Sequence, residues 1–129
     1  KNIKLQEQDP NIIVMGDFND DPSSKSIQIL KEGAGLFNAM ETLHIPDSRG
    51  TSVYGGKWNM FDQVLISNSF FNYEKNTHSF DTAGIFDHKS LKEKKGKYIG
   101  TPYRTFVSHR YMGGYSDHFP VYAVFTFNS

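Results

Sequence analysis

The chain has 129 residues, enough for one compact domain and too few for two complete ones. Hydrophobic residues make up 37% and charged residues 22%, and no apolar run approaches the roughly 20 residues that span a bilayer, so a disordered tail and a transmembrane helix are both excluded. Fourteen basic residues balance fourteen acidic ones, which removes a global attraction to nucleic acid, and the absence of cysteine removes disulfide scaffolds, thiolate zinc sites and cysteine nucleophiles.

Aromatic residues reach 15%, which suits a core built largely on strands. Lys1 opens the chain with no signal or targeting segment in view, and the compartment is left open. After a polar lead-in, Asn11–Phe18 is a short apolar run with β-branched residues, predicted as a strand buried on both faces. It ends in Gly16-Asp17-Phe18-Asn19-Asp20-Asp21-Pro22, a stretch dense in turn-forming residues. Asp21 or Ser23 is placed to cap a following helix whose apolar side holds Ile27, Ile29 and Leu30, with Gly33 placed to end it. Leu36–Leu43 reads as a further helical turn and residues 46–57, with Pro46, Gly50, Gly55 and Gly56, as a long loop.

A second strand is predicted over Met60–Ser67. Residues 68–88 are polar and aromatic without clear period, and residues 89–97 carry five lysines against one glutamate, the composition of a solvated loop. Thr105–Ser108 suits a short strand. The chain closes on Phe119–Phe127, where Val121, Ala123, Phe125 and Phe127 share one face of a strand. Charge is uneven: residues 1–47 hold 4 basic and 8 acidic side chains, net −4, and residues 48–129 hold 10 and 6, net +4.

Three clusters at the ends of apolar runs are candidates for chemistry. Gly16-Asp17-Phe18-Asn19 ends the first strand, where loops of α/β sheets converge side chains on a crevice; it equally suits a simple strand-ending turn. Asp62 lies against a strand core, where a carboxylate requires a partner such as a histidine or a metal, or else a strand mouth facing water. In Ser116-Asp117-His118, adjacent side chains of extended backbone point to opposite sides, so Asp117 and His118 serve different partners and Asp62 is available to orient His118. The bland alternative is that Asp117 and His118 merely open the last strand. The remaining histidines have no metal-ligand spacing, and there is neither a phosphate-binding glycine loop nor a Gly-x-Ser-x-Gly elbow.

In this order, Val14-Met15-Gly16-Asp17-Phe18-Asn19-Asp20 with Pro22, then Asp62-Gln63-Val64-Leu65-Ile66-Ser67, then Ser116-Asp117-His118-Phe119-Pro120-Val121, the chain resembles the endonuclease/exonuclease/phosphatase superfamily of deoxyribonuclease I-like fold. Lys57-Trp58-Asn59 and Pro102-Tyr103-Arg104-Thr105-Phe106 resemble features of a bacterial branch of it. The resemblance implies an α/β (α+β) two-sheet sandwich, with a mostly antiparallel or mixed sheet and helices on its outer face. It implies a divalent-metal-dependent phosphoesterase, acting by activated-water attack on a phosphodiester or phosphomonoester. By that resemblance Asp17 orients and deprotonates the attacking water, and Asn19 holds the phosphate or the water. Asp62 orients His118, His118 binds the scissile phosphate, and Asp117 partners the cation, Mg²⁺ or Mn²⁺.

The family also uses an Asn and a metal-binding Glu upstream of the Gly-Asp-x-Asn motif, whereas only 15 residues precede Gly16 and Glu7 is the sole glutamate among them. The expectation is therefore that residues 1–129 form the carboxy-terminal half of a longer domain. The isolated chain would then be inactive and prone to self-association through an uncovered sheet face. Its partners would be the absent half and a phosphate-ester substrate: nucleic acid, sugar phosphate or lipid phosphate. Having only three arginines disfavours a strong duplex binder. The alternative from a different class is a non-catalytic structural or interaction module with the same half-fold.

Overall fold

The computed structural model describes residues 9–129. Its elements are β1 (Ile13–Asp17), helix α1 (Lys25–Ala34), β2 (Leu36–Asn38), β3 (Ser52–Tyr54), β4 (Lys57–Asn59), β5 (Asp62–Ser67), β6 (His78–Ile85), β7 (Phe106–Val107), β8 (Arg110–Tyr111) and β9 (Val121–Phe127). Short 3₁₀ turns lie at Glu41–Leu43, Asn68–Phe71 and Lys89–Leu91. All strand pairs are antiparallel: β1-β5-β2 form one sheet, β6 pairs β9, and β3-β4 and β7-β8 are hairpins. The class is the expected mixture of sandwich-type strands and helix. Among the described residues no helix is long and apolar enough to cross a membrane.

Strand β5 is the centre, and its run Gln63-Val64-Leu65-Ile66-Ser67 is buried throughout. Its side chains alternate between two cores. Leu65 packs with Ile27 of α1 and Leu36 of β2, flanked by Val14, Phe18 and Leu30. Val64 and Ile66 point the other way, into a larger core with Met40, Met60, Phe70, Ile85 and Phe119, against which Ala83, Val121, Ala123 and Phe125 of β6 and β9 pack. Phe70 and Phe125 lie 4.7 Å apart between ring centres, and Phe37, Phe71 and Phe80 make edge-on contacts.

Several local expectations are corrected. Strand β1 is an edge strand, not one buried on both faces: Val14 meets the helix core, but Ile13 and Met15, on the opposite face, are 45% and 59% exposed. Leu36–Leu43 is not helical; Leu36–Asn38 pairs with β5 in register Phe37–Ile66, and only Glu41–Leu43 turns. Residues 46–57 contain most of a hairpin, in which Gly55 and Gly56 take positive φ (57° and 78°), the conformation a tight two-residue strand reversal requires. Strand β6 arises within 68–88, where no period was visible, because its pairing with β9 is supplied by residues some 40 positions away. Helix α1 stops at Gly35 in the left-handed region, φ 64°, rather than at Gly33. Neither Asp21 nor Ser23 is its N-cap; Ser24 is, and Asp21 is used elsewhere. One α-helix, not several, is present among the described residues.

Candidate active site

The register of β1 on β5 sets Asp17 directly opposite Asp62. Both lie on the sheet face away from the helix, in line with Met15 and Val64, and directly opposed side chains on an antiparallel pair start about 5 Å apart at Cβ. Two carboxylates so placed repel each other unless a cation or a donor is between or beside them. His118 supplies a donor, its Nδ1 bonding Asp62 Oδ2 at 2.7 Å, with both side chains about four-fifths buried. One ligand atom from each of Asp17, Asp62 and His118 lies within 4.8 Å of the others.

His118 is held by the backbone around it. Its N–H donates to Ser116 Oγ (3.1 Å), and the next residue, Phe119, donates from its N–H to Thr51 O (2.7 Å). The Phe119 ring is 2% exposed and stacks on Trp58 at 6.0 Å, so an aromatic plug fixes the segment that carries the imidazole. With Nδ1 donating to the carboxylate, the ring keeps one tautomer and Nε2 becomes the working nitrogen.

The turn after β1 is also locked. Asp17 Oδ1 accepts from the N–H of Asn19 at 2.9 Å, and Asn19 takes φ 51°, a conformation Asn tolerates better than most residues. Gln63 Nε2 donates to Asp20 O (2.6 Å), Asp21 Oδ1 accepts from Met60 N–H (2.7 Å), and Phe18 N–H donates to Phe61 O (2.8 Å). Gln63 is itself held by Asn38, whose Nδ2 donates to Gln63 Oε1 at 2.7 Å while its Oδ1 accepts from Met40 N–H at 3.0 Å. Sequence reasoning missed Gln63, Asn38 and Asp21 as supports of the site. A glutamine inside an otherwise apolar strand was the available signal, because a buried amide needs partners.

Asp117 is not part of the Asp17–Asp62–His118 cluster. It lines a cavity of about 350 Å³ that opens beside His118, together with Ser52, Tyr54, Asn59, Phe61 and Arg104. Asp117 and His118 serve different partners, His118 bonding Asp62 while Asp117 lines the cavity, on a bent segment that precedes β9, which begins only at Val121. Asn59, at the end of β4, and Arg104 lie in the two stretches that resemble a bacterial branch of the family but were not singled out as site residues.

A hard divalent cation takes oxygen ligands and keeps several waters, so one or two carboxylates suffice to hold it. Nδ1 of His118 and one oxygen of Asp62 are spent on each other, and one oxygen of Asp17 accepts from Asn19. The second oxygens of Asp17 and Asp62 remain as hard donors. That set fits a largely hydrated Mg²⁺ or Mn²⁺ and not a closed zinc site. Glu7 lies outside the described residues.

The profile described as Endonuclease/Exonuclease/phosphatase family matches residues 1–126. No curated protein and no solved structure matches the chain. The match extends over the first strand with its Gly16-Asp17-Phe18-Asn19 turn, over Asp62 on β5 and over His118, and it agrees with the antiparallel strand-and-helix architecture. The chain belongs to the endonuclease/exonuclease/phosphatase family, whose members are generally hydrolases and typically depend on a divalent metal.

Proposed function

We propose that this chain carries the water-activating half of a divalent-metal-dependent phosphoesterase. The observation that carries the reading is the 2.7 Å bond from His118 to Asp62 with Asp17 directly across the strand pair, beside an open cavity. In this reading the Asp17 carboxylate accepts a proton from a water as its oxygen bonds to phosphorus and the ester P–O bond breaks. The departing alkoxide takes its proton from the imidazolium or from solvent. His118, as the imidazolium, keeps Nδ1–H on Asp62 and directs Nε2–H at a phosphoryl oxygen, meeting the charge that develops there. Asn19 holds the phosphate or the attacking water, the free oxygens of Asp17 and Asp62 would hold the cation, and Asp117, expected to partner it, lies outside that cluster on the cavity wall. Bound Mg²⁺ or Mn²⁺ would supply charge neutralisation at the phosphoryl oxygens.

The same reading takes residues 1–129 as the carboxy-terminal half of the family domain. Its support is the exposed apolar edge of the first sheet, where Ile13 and Met15 on β1 are 45% and 59% exposed beside the buried Val64 and Ile66 of β5. The substrate class within phosphate esters spans nucleic acid, sugar phosphate and lipid phosphate.

The test is Mg²⁺-dependent hydrolysis of bis-p-nitrophenyl phosphate by the natural full-length protein. Asp17→Ala and His118→Ala should each lower turnover by about 10²–10⁴-fold, the usual contribution of a positioned acid or base, with the fold retained. The 129-residue chain alone should turn over negligibly. Full activity of Asp17→Ala would reduce the Gly16-Asp17-Phe18-Asn19 cluster to a strand-ending turn and sink the reading.

A further inference from the structure

Arg104 forms the wall between two cavities. It lines the 350 Å³ space with Asp117 and His118, and it also lines a second space of about 510 Å³ behind the β3-β4 hairpin. Its guanidinium is fixed by one bond, Nη2 donating to Val53 O at 2.7 Å. Among the described residues no carboxylate pairs with it. A half-buried guanidinium held by a neutral carbonyl keeps its full charge and most of its donors for an anion.

The backbone keeps Arg104 in fixed relation to His118. Gly114 N–H donates to Arg104 O (3.1 Å), Thr105 Oγ1 donates to Gly114 O (3.1 Å), and Tyr115 N–H donates to Tyr103 O (2.8 Å). The approach is so close that a Cβ on Gly114 would lie 2.1 Å from Tyr103 O and 2.4 Å from Arg104 O, which only glycine permits. The Gly113-Gly114-Tyr115 segment leads directly into Ser116-Asp117-His118, so guanidinium and imidazole are delivered by one joined piece of backbone.

The second cavity has a different chemistry. Tyr54, Trp58, Tyr98 and Pro102 line it, and Tyr54 and Tyr98 are 83% and 61% exposed. Lys97 Nζ lies 5.6 Å from the Tyr98 ring centre, and Glu93 shares the same wall. The aromatic lining suits a planar group. The volume falls within the range of about 300–1,000 Å³ of ligand sites.

We propose that Arg104 binds the phosphoryl oxygens of the substrate from the side opposite His118, and that the adjoining aromatic cavity receives a planar aromatic ring on the substrate's alcohol portion. This inference rests on the phosphoesterase reading above, and its probe is binding without turnover. Trp58 is the only tryptophan and lines the second cavity, so its emission reports occupancy. The full-length protein in Mg²⁺ buffer is titrated with benzylphosphonate and with methylphosphonate, neither of which can be hydrolysed as an ester. Benzylphosphonate should bind about tenfold or more tightly than methylphosphonate, the scale of one ring stacking on aromatic side chains. Arg104→Gln should weaken both ligands about tenfold or more, as expected for loss of a charged donor. Tyr98→Ala should abolish the preference and leave methylphosphonate unchanged.

The 5′-methylenephosphonate analogue of adenosine 5′-monophosphate, which likewise has no ester bond to cleave, separates the sources of the ring in the same titration: it outbinds benzylphosphonate if the ring is a nucleobase and binds more weakly if it is a smaller aryl alcohol. Equal affinities for the two phosphonates in the wild type, no response of Trp58, or a preference that survives Tyr98→Ala would overturn the proposal. With hydrolysis still abolished by Asp17→Ala, those results would remove only the aromatic subsite. Conversely, tight benzylphosphonate binding alongside hydrolysis indifferent to Asp17→Ala would remove only the catalytic assignment.

Discussion

Replacing Gln63 by leucine tests how the site is held together. Gln63 is fully buried in the central strand and bridges two pieces of chain: its Nε2 donates to Asp20 O (2.6 Å), and its Oε1 accepts from Asn38 Nδ2 (2.7 Å). Leucine has similar bulk but no polar atoms, so Asn38 Nδ2 and Asp20 O lose their protein partner together. Asn38 is 1% exposed, so water reaches its amide poorly. Each stranded group costs about 1–3 kcal/mol, and the extra apolar burial of leucine offsets part of that. The net expectation is about 2–4 kcal/mol of lost stability, a fall in Tm of about 10 °C for a domain of this size. Urea unfolding followed by circular dichroism measures it, with an unchanged slope confirming that the compactness of the end states is unaltered. Turnover should fall as well, because the Asp20 carbonyl anchors the turn that carries Asp17 and Asn19, and a 1 Å displacement can cost about 10²-fold in rate. A midpoint shift equivalent to less than about 0.5 kcal/mol, the range of ordinary surface substitutions, would show that Gln63 is not the anchor.

The remaining expectations follow from the same geometry. Asp62→Asn should lower kcat by about two orders of magnitude with KM little changed, because the imidazole loses its charged orienting partner and not its place beside the substrate; a change in KM alone would refute the positioning role. Gly114→Ala should destabilise the protein by about 1–3 kcal/mol, since the new Cβ would meet backbone oxygens that cannot swing aside, and thermal melts within error of wild type would contradict this. Ile13→Lys with Met15→Lys should reduce self-association of the 129-residue chain in light scattering without unfolding it, since both side chains already face outward; unchanged association would exclude this face as the contact.

Much of the fold was legible where one residue's neighbours in sequence are also its neighbours in space. The Gly16–Pro22 turn could be read from turn chemistry, β5 from its apolar run, α1 from its apolar stripe, and the alternation of β9 from period two. The hairpin β3-β4 was legible too, because Gly55-Gly56 between Ser52-Val53-Tyr54 and Lys57-Trp58-Asn59 carries the two positive-φ residues a tight reversal needs; weight given to its loop-like composition obscured it. Strand β6 was not legible, because its pattern makes sense only against β9.

The candidate site divides along the same line. The sequence by itself determined which residue types were present at strand ends: Asp17 closing β1 with Asn19 just after it, Asp62 opening β5, Asp117 and His118 before β9. Only the tertiary structure decided that Asp17 faces Asp62, since that depends on a strand register in which a shift of one residue would turn one carboxylate to the helix side. It also closed the expected bond from His118 to Asp62 across 56 positions and set both His118 and Asp117 on the cavity with Arg104. The physical reason is that propensity and turn chemistry act over a few residues. Pairing register, the packing of Phe119 that fixes His118, and the backbone contact that only Gly114 permits arise from surfaces meeting at long range, and no local pattern encodes them.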